Sequence, residues 1–221
     1  MDAASLTAPR VRLEGGGTAL RFPWNGEEVL VRDDSLTALQ VAAVFADEEM
    51  PEAQKPREVI PRLFADPDAA FTACDYSWPE FGRLIQAAVN QVYGIDNSGG
   101  PQRPPLWDPE EDAACIRASL RMAYGLDWDE KAPSLPWAEF VALVWSLPRD
   151  TPMGARIYYR NNDNRPKRAK NNANKAEIEE FDRLHRAFAL KNNKRTGSHD
   201  SAEASNQAMN DLARALHAKM G

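Results

Sequence analysis

Long apolar runs are missing from this 221-residue chain. Nothing approaches the roughly 18 consecutive apolar residues of a membrane-crossing helix, so no spanning segment is expected. Cysteine is scarce. Cys74 and Cys115 are too few for a disulfide framework, and a reducing compartment is the simplest expectation. The three histidines, His185, His199 and His217, crowd toward the C-terminal end. No Cys or His stands at ligand spacing from either cysteine, which argues against zinc chemistry and leaves both cysteines as ordinary packing residues. The opening stretch MDAASLTAPRVRLEGGG has no apolar h-region, so no secretory signal is expected. Gly15-Gly16-Gly17 is a bare triplet without a following Lys-Ser/Thr. No Walker loop, dinucleotide loop or nucleophile elbow occurs.

What is present suffices for a folded core. Apolar residues make up 43% of the chain and charged residues 27%, ordinary values for a globular protein. The net charge of −6 hides an asymmetry. Residues 1–150 carry 13 Lys and Arg against 25 Asp and Glu, whereas residues 151–200 carry 12 against 6. The acidic part should repel nucleic acid. The basic part has Tyr158 and Tyr159 just upstream, but single-strand binders interleave aromatic platforms with the charge. Solvated surface and internal charge balance explain the basic run better.

Residues 1–17 read as a flexible leader with the glycine triplet as its joint. Thr18–Phe22 and Glu28–Arg32 flank Asn25-Gly26, a hairpin signal, because both turn residues tolerate positive φ. The rest reads as helical. Asp34-Ser35 can cap a helix to about Ala46, Pro56 can start a short one, and Asp66-Pro67 can open another. Ser77 caps a helix to Tyr93 with Phe81, Leu84, Ile85, Ala88 and Val92 on one face, and Gly94 stops it. Residues 97–106 form a Gly/Pro linker. Asp108, Pro109 and Glu111 start a helix with Ala113, Ile116, Leu120 and Tyr124 as its buried stripe and Gly125 as its end. Ser134 caps a helix from Leu135 to Leu147 that is apolar nearly all round and belongs at the centre of the fold or against a partner. Thr151 caps a turn from Pro152 to Arg160.

Residues 161–175, NNDNRPKRAKNNANK, are too polar to fold alone and read as a mobile basic loop. Two amphipathic helices complete the chain. The first carries Ile178, Phe181, Leu184 and Phe188, the second Met209, Leu212, Leu216 and Met220. The expected organisation is a leader (1–17), an acidic, mainly helical body beginning with the hairpin (18–160), the basic loop (161–175) and a helical appendage (176–221). The fold class is mainly α, with a bundle-like body and a small N-terminal β-hairpin. The two stripes are candidate contacts for a partner protein or a second copy of the chain.

Catalytic signals are weak. Asp108, Glu110, Glu111 and Asp112 sit in a first helical turn, where carboxylates favour the positive end of the dipole rather than converge on one atom. Asp127, Asp129 and Glu130 hold fragments of a calcium loop without its Gly and terminal Glu.

One stretch is more specific. Residues 107–160 run WDPEEDAACIRASLRMAYGLDWDEKAPSLPWAEFVALVWSLPRDTPMGARIYYR. The pattern is an acidic helix start, an Ile, an aromatic or apolar residue, Tyr-Gly with an apolar residue, a Trp-x-x-Phe helix, a Leu, a Thr and a terminal Arg. Trp107, Asp112, Ile116, Leu120, Tyr124, Gly125, Leu126, Trp137, Phe140, Leu143, Leu147, Thr151 and Arg160 carry it. This order and spacing resembles the small phage and prophage family encoded beside the tape-measure gene, regarded as tail assembly chaperones. The resemblance extends over about residues 18–190. It implies a non-enzymatic helper that binds the tape-measure protein in the bacterial host cytoplasm, with no cofactor and no catalytic residues to carry over. Two alternatives stay open: a structural tail or head–tail component retained in the particle, and a nucleic-acid-binding accessory factor using the basic segment.

Overall fold

The computed structural model describes residues 8–51, 53–94 and 105–191. In chain order its elements are strands β1 (Arg10–Arg12), β2 (Thr18–Trp24) and β3 (Glu27–Arg32), then helices α1 (Ser35–Ala46), α2 (Lys55–Leu63), α3 (Pro67–Thr72) and α4 (Trp78–Tyr93). There follow α5 (Ala113–Tyr124), α6 (Trp128–Lys131), α7 (Trp137–Trp145), α8 (Pro152–Arg160) and α9 (Lys175–Phe188). The fold is mainly α with one small antiparallel sheet in the order β1-β2-β3. The chain divides into two units: one holds the described residues up to Gly94 with Glu130–Phe140, the other those from 105 to Asp129 and from Val141 to 191.

In the first unit, Asn25 and Gly26 both take positive φ, 49° and 88°, and close the β2–β3 hairpin expected from the sequence. The register pairs Phe22 with Val29 and Leu20 with Val31, and all four side chains are buried. They pack with Val41 of α1, Val59 and Leu63 of α2, and Phe81, Leu84 and Ile85 of α4. A flexible leader over 1–17 is corrected over its second half. Arg10–Arg12 pairs with Thr18–Leu20, and Gly16 and Gly17, at φ of 87° and 88°, make the turn between them. Arg10 Nε also meets the buried Asp33 carboxylate at 2.7 Å.

The 130–140 segment returns to this unit as a strap. Ser35 N donates to Leu135 O at 2.7 Å, Ser35 Oγ donates to Leu135 O and Ala132 O, and Trp137 N donates to Asp33 O at 2.6 Å. The Trp137 indole N–H donates to Tyr93 O, and the Tyr93 hydroxyl donates to Arg32 O. These bonds move the helix start from the expected Leu135 to Trp137. Pro136 is bridged to Asp34, and Ser134 Oγ donates back to Lys131 O instead of capping.

In the second unit, α8 packs against both α5 and α9. Thr151 caps α8 by accepting from Gly154 N. The α5 start differs from expectation. Asp108 Oδ1 accepts from Glu110 N and Glu111 N, but this turn stays short, and regular helix begins only at Ala113 because the Asp112 carboxylate is committed elsewhere. The expected mobile loop is also corrected. Residues 162–164 and 170–172 form 3₁₀ turns, with Asn164 donating to Tyr158 O and Asn174 bridging Lys167 O and Ala169 N. Asparagine amides supply the backbone partners that apolar packing does not. Helix α9 is part of the second unit rather than an appendage, since Phe181 lies against the rings of Tyr158 and Tyr159.

Candidate interaction site

Asp112 has a side-chain exposure of 0% and would be costly to bury alone. Three groups converge on it. Asp108 N donates at 3.0 Å, Arg156 at 2.7 Å, and Arg160 through two guanidinium nitrogens, one at 3.0 Å. Burial pushes the Asp112 carboxyl up, but the hydrogen bonds from Arg160, from Asp108 N and from Arg156 outweigh it and hold it below the usual carboxylate range. Arg160, itself buried, also donates to Leu106 O and Phe188 O. His185 Nδ1 lies 2.7 Å from Tyr159 O, and because a carbonyl only accepts, Nδ1 carries the proton. Lys191 N donates to Glu111 Oε2 at 2.9 Å. The result is a clasp joining the segment before α5 to α8 and to the end of α9. Its carboxylate is held by charge-assisted hydrogen bonds, which suits it to fixing structure rather than to transferring protons.

The other pattern residues have plain structural roles. Ile116 and Leu120 are buried. Gly125, at φ 64°, ends α5, with Gly125 N donating to Arg121 O and Leu126 N to Leu120 O. Tyr124 departs from the expected buried stripe: it is 39% exposed, and its hydroxyl reaches Leu143 O at 3.2 Å. Trp107 and Leu143 are half-buried and Leu147 is buried. Trp137 and Phe140, with rings 5.5 Å apart, belong to the first unit, so the pattern is divided between the two. Helix α7 is not enclosed all round either, since Trp145 is 50% exposed. Sequence reading missed Ser119, whose buried hydroxyl accepts from Met153 N at 2.8 Å, and Arg156. A serine inside the apolar stripe of α5 was the available signal.

The first apolar stripe is only partly open. Phe181 is 3% exposed, which removes it from any surface offered to a partner, while Ile178, Leu184 and Phe188 are half-buried. Met209, Leu212, Leu216 and Met220 lie outside the described residues. The basic stretch spends much of its charge internally. Arg165 binds Asp182, Arg183 binds Glu180 and Lys175 binds Glu179. Of the acids weighed for calcium, Asp127 binds Arg121 and Asp129 binds Arg117. Among the described residues, no group of three or more His, Cys, Asp or Glu side chains is placed to hold a metal, and no helix is long and apolar enough to cross a membrane.

No curated protein and no solved structure matches the chain. A family model described as Bacteriophage Gp15 protein matches residues 20–190. That span runs from Leu20 of β2 through α9 and takes in Asp112, Arg156, Arg160 and every residue of the 107–160 pattern. On this match, which covers most of its length, the chain belongs to the Bacteriophage Gp15 protein family.

Proposed function

We propose that this phage protein is a non-enzymatic tail assembly chaperone that binds the tape-measure polypeptide in the bacterial host cytoplasm. The observation that carries the reading is the use of the pattern residues. Asp112, Gly125, Thr151 and Arg160 build a scaffold, through an ion-pair clasp, a left-handed helix end and a helix cap, and none of them faces a shared reacting centre. A long helical client is prone to aggregate before it is packaged, and an acidic, mainly helical helper can cover its apolar faces while staying in solution. The half-open side chains Ile178, Leu184 and Phe188, with Met209, Leu212, Leu216 and Met220, are the contacts we assign to the client or to a second copy of the chain.

Co-expression with the tape-measure protein tests this directly. The two should co-purify, and deleting residues 200–221 should weaken that capture with little change in melting midpoint. Mass spectrometry of purified particles separates the assembly helper, absent from the finished virion, from a structural component, which is retained. Failure to co-purify, with the chain present in particles, would overturn the chaperone reading.

A further inference from the structure

The first unit presents aromatic rings at its surface beside a strained turn. Asp75 and Tyr76 follow α3 at φ of 51° and 55°, the left-handed region that side chains other than glycine seldom enter. This turn lifts Tyr76 into solvent, where it is 67% exposed. Its ring stands edge-on to Phe71 at 5.6 Å, and Phe71 lies 4.5 Å from Trp78. Phe71 and Trp78 are half-buried, and both rest inward on Phe81. The three rings therefore form one continuous ledge. The hairpin tip borders it, with Asn25 Nδ2 donating to Ala73 O and to Glu80.

The segment that carries the ledge is acidic. Asp66, Asp68 and Asp75 are exposed, and none of the three has a cationic partner among the described residues. The nearby Glu28 and Glu80 are matched by Arg21 and Arg83. The Tyr76 hydroxyl lies 3.3 Å from Thr72 Oγ1, Asp68 stands one turn before Thr72 on α3 and Asp75 directly precedes Tyr76, so the unmatched acids belong to the same short segment as the rings. Aromatic faces attract cations, and the carboxylates repel acidic chains.

We propose that this ledge docks a basic amphipathic segment of a partner protein. Its apolar side chains lie on Phe71, Tyr76 and Trp78, and its Lys or Arg side chains reach Asp68 and Asp75. The proposal does not depend on the identity of the client, and its test uses no phage protein other than this chain. The probes are a fluorescently labelled Leu/Lys amphipathic helical peptide of about 18 residues, long enough for roughly five turns, and the same peptide with Glu for Lys.

The Leu/Lys peptide should bind the full chain and shift backbone amides between residues 66 and 81, whereas the Leu/Glu peptide should not. Tyr76→Gly removes the ring and suits the local φ, so it should weaken binding about tenfold without lowering the melting midpoint. Asp68→Asn with Asp75→Asn should also weaken binding. If loss of the ring contact with Phe71 destabilises the Tyr76 variant, the paired carboxylate substitution, which keeps the Tyr76 ring, carries the test in its place. Equal binding of the two peptides, amide shifts lying elsewhere, or wild-type affinity in a folded Tyr76 variant or in the paired carboxylate variant would each overturn the proposal.

Discussion

Asp112 shows how one buried carboxylate can tie together the segment before α5 and helix α8. Removing Arg160 strips the buried carboxylate of two of its hydrogen bonds and leaves only Arg156 and Asp108 N to hold its charge, so Arg160→Met should cost up to about 3–5 kcal/mol in chemical unfolding. Its pH signature follows from the direction of its shift. The folded carboxyl is held below its ordinary value, so its stabilisation is complete above the unfolded value and is lost as pH falls through the folded one. The melting midpoint should therefore fall at acid pH, below about 4, and Asp112→Asn should flatten that part of the profile while lowering the midpoint at neutrality. Asp34 has the opposite sign. Burial raises its carboxyl despite the hydrogen bonds from the Thr37 backbone and hydroxyl. Its contribution grows as pH falls through the folded value, and Asp34→Asn, which keeps an acceptor for Thr37 N, should not lower stability at neutral pH. The cysteines make a second residue-scale contrast. Cys74 is 1% exposed, and burial, with Glu80 nearby, pushes its thiol up to about 11. Cys115 is half-buried. A thiol reagent at pH 8 should label Cys115 in the native protein and Cys74 only after unfolding.

Helix ends decide behaviour at the next scale. Gly94 and Gly125 both terminate helices at positive φ, 65° and 64°, so the similar VYGID and AYGLD segments share a stop signal. Gly154 has a different reason to be glycine. A Cβ there would fall 2.0 Å from Pro148 O, inside the turn that leads into α8. Gly154→Ala must displace backbone and should destabilise by about 1–3 kcal/mol or more. Gly125→Ala meets open space and should cost only about 1 kcal/mol, for its backbone conformation alone. Paired denaturation curves check the ranking, and a smaller loss for Gly154→Ala than for Gly125→Ala would refute it.

At the scale of the whole molecule, the chain leaves its first unit after α4 and contributes residues 130–140 to it later. Ser35 is fully buried, and its backbone N–H and hydroxyl both depend on that returning segment. A fragment ending at residue 100 should melt below the full chain. A synthetic peptide spanning 128–142 should raise the fragment's midpoint in a concentration-dependent way, since it binds the folded form. No change on adding peptide would show that the strap contributes little.

Local chemistry made much of this protein readable in advance. Asn25-Gly26 specifies its hairpin because both residues tolerate positive φ, Asp66 and Thr151 cap the helices they precede, and Gly94 and Gly125 end the helices before them. The spacing of residues 107–160 also pointed to a phage family, although it could not say that Trp137 and Phe140 belong to one unit and Asp112 and Arg160 to the other. What remained hidden depends on partners distant in sequence. Arg10–Arg12 looked like leader because a three-residue strand has no periodicity of its own and exists only through pairing with β2. The start of α7 moved because Asp33 O and Asp34, about a hundred residues earlier, claim Trp137 N and Pro136. Asp112 resembled an ordinary first-turn acid because nothing in a first helical turn reveals that two arginines more than forty residues on will claim its carboxylate. Turns and caps are settled by neighbours, whereas strand pairing, strap bonds and buried ion pairs are settled by which segments the tertiary fold brings together.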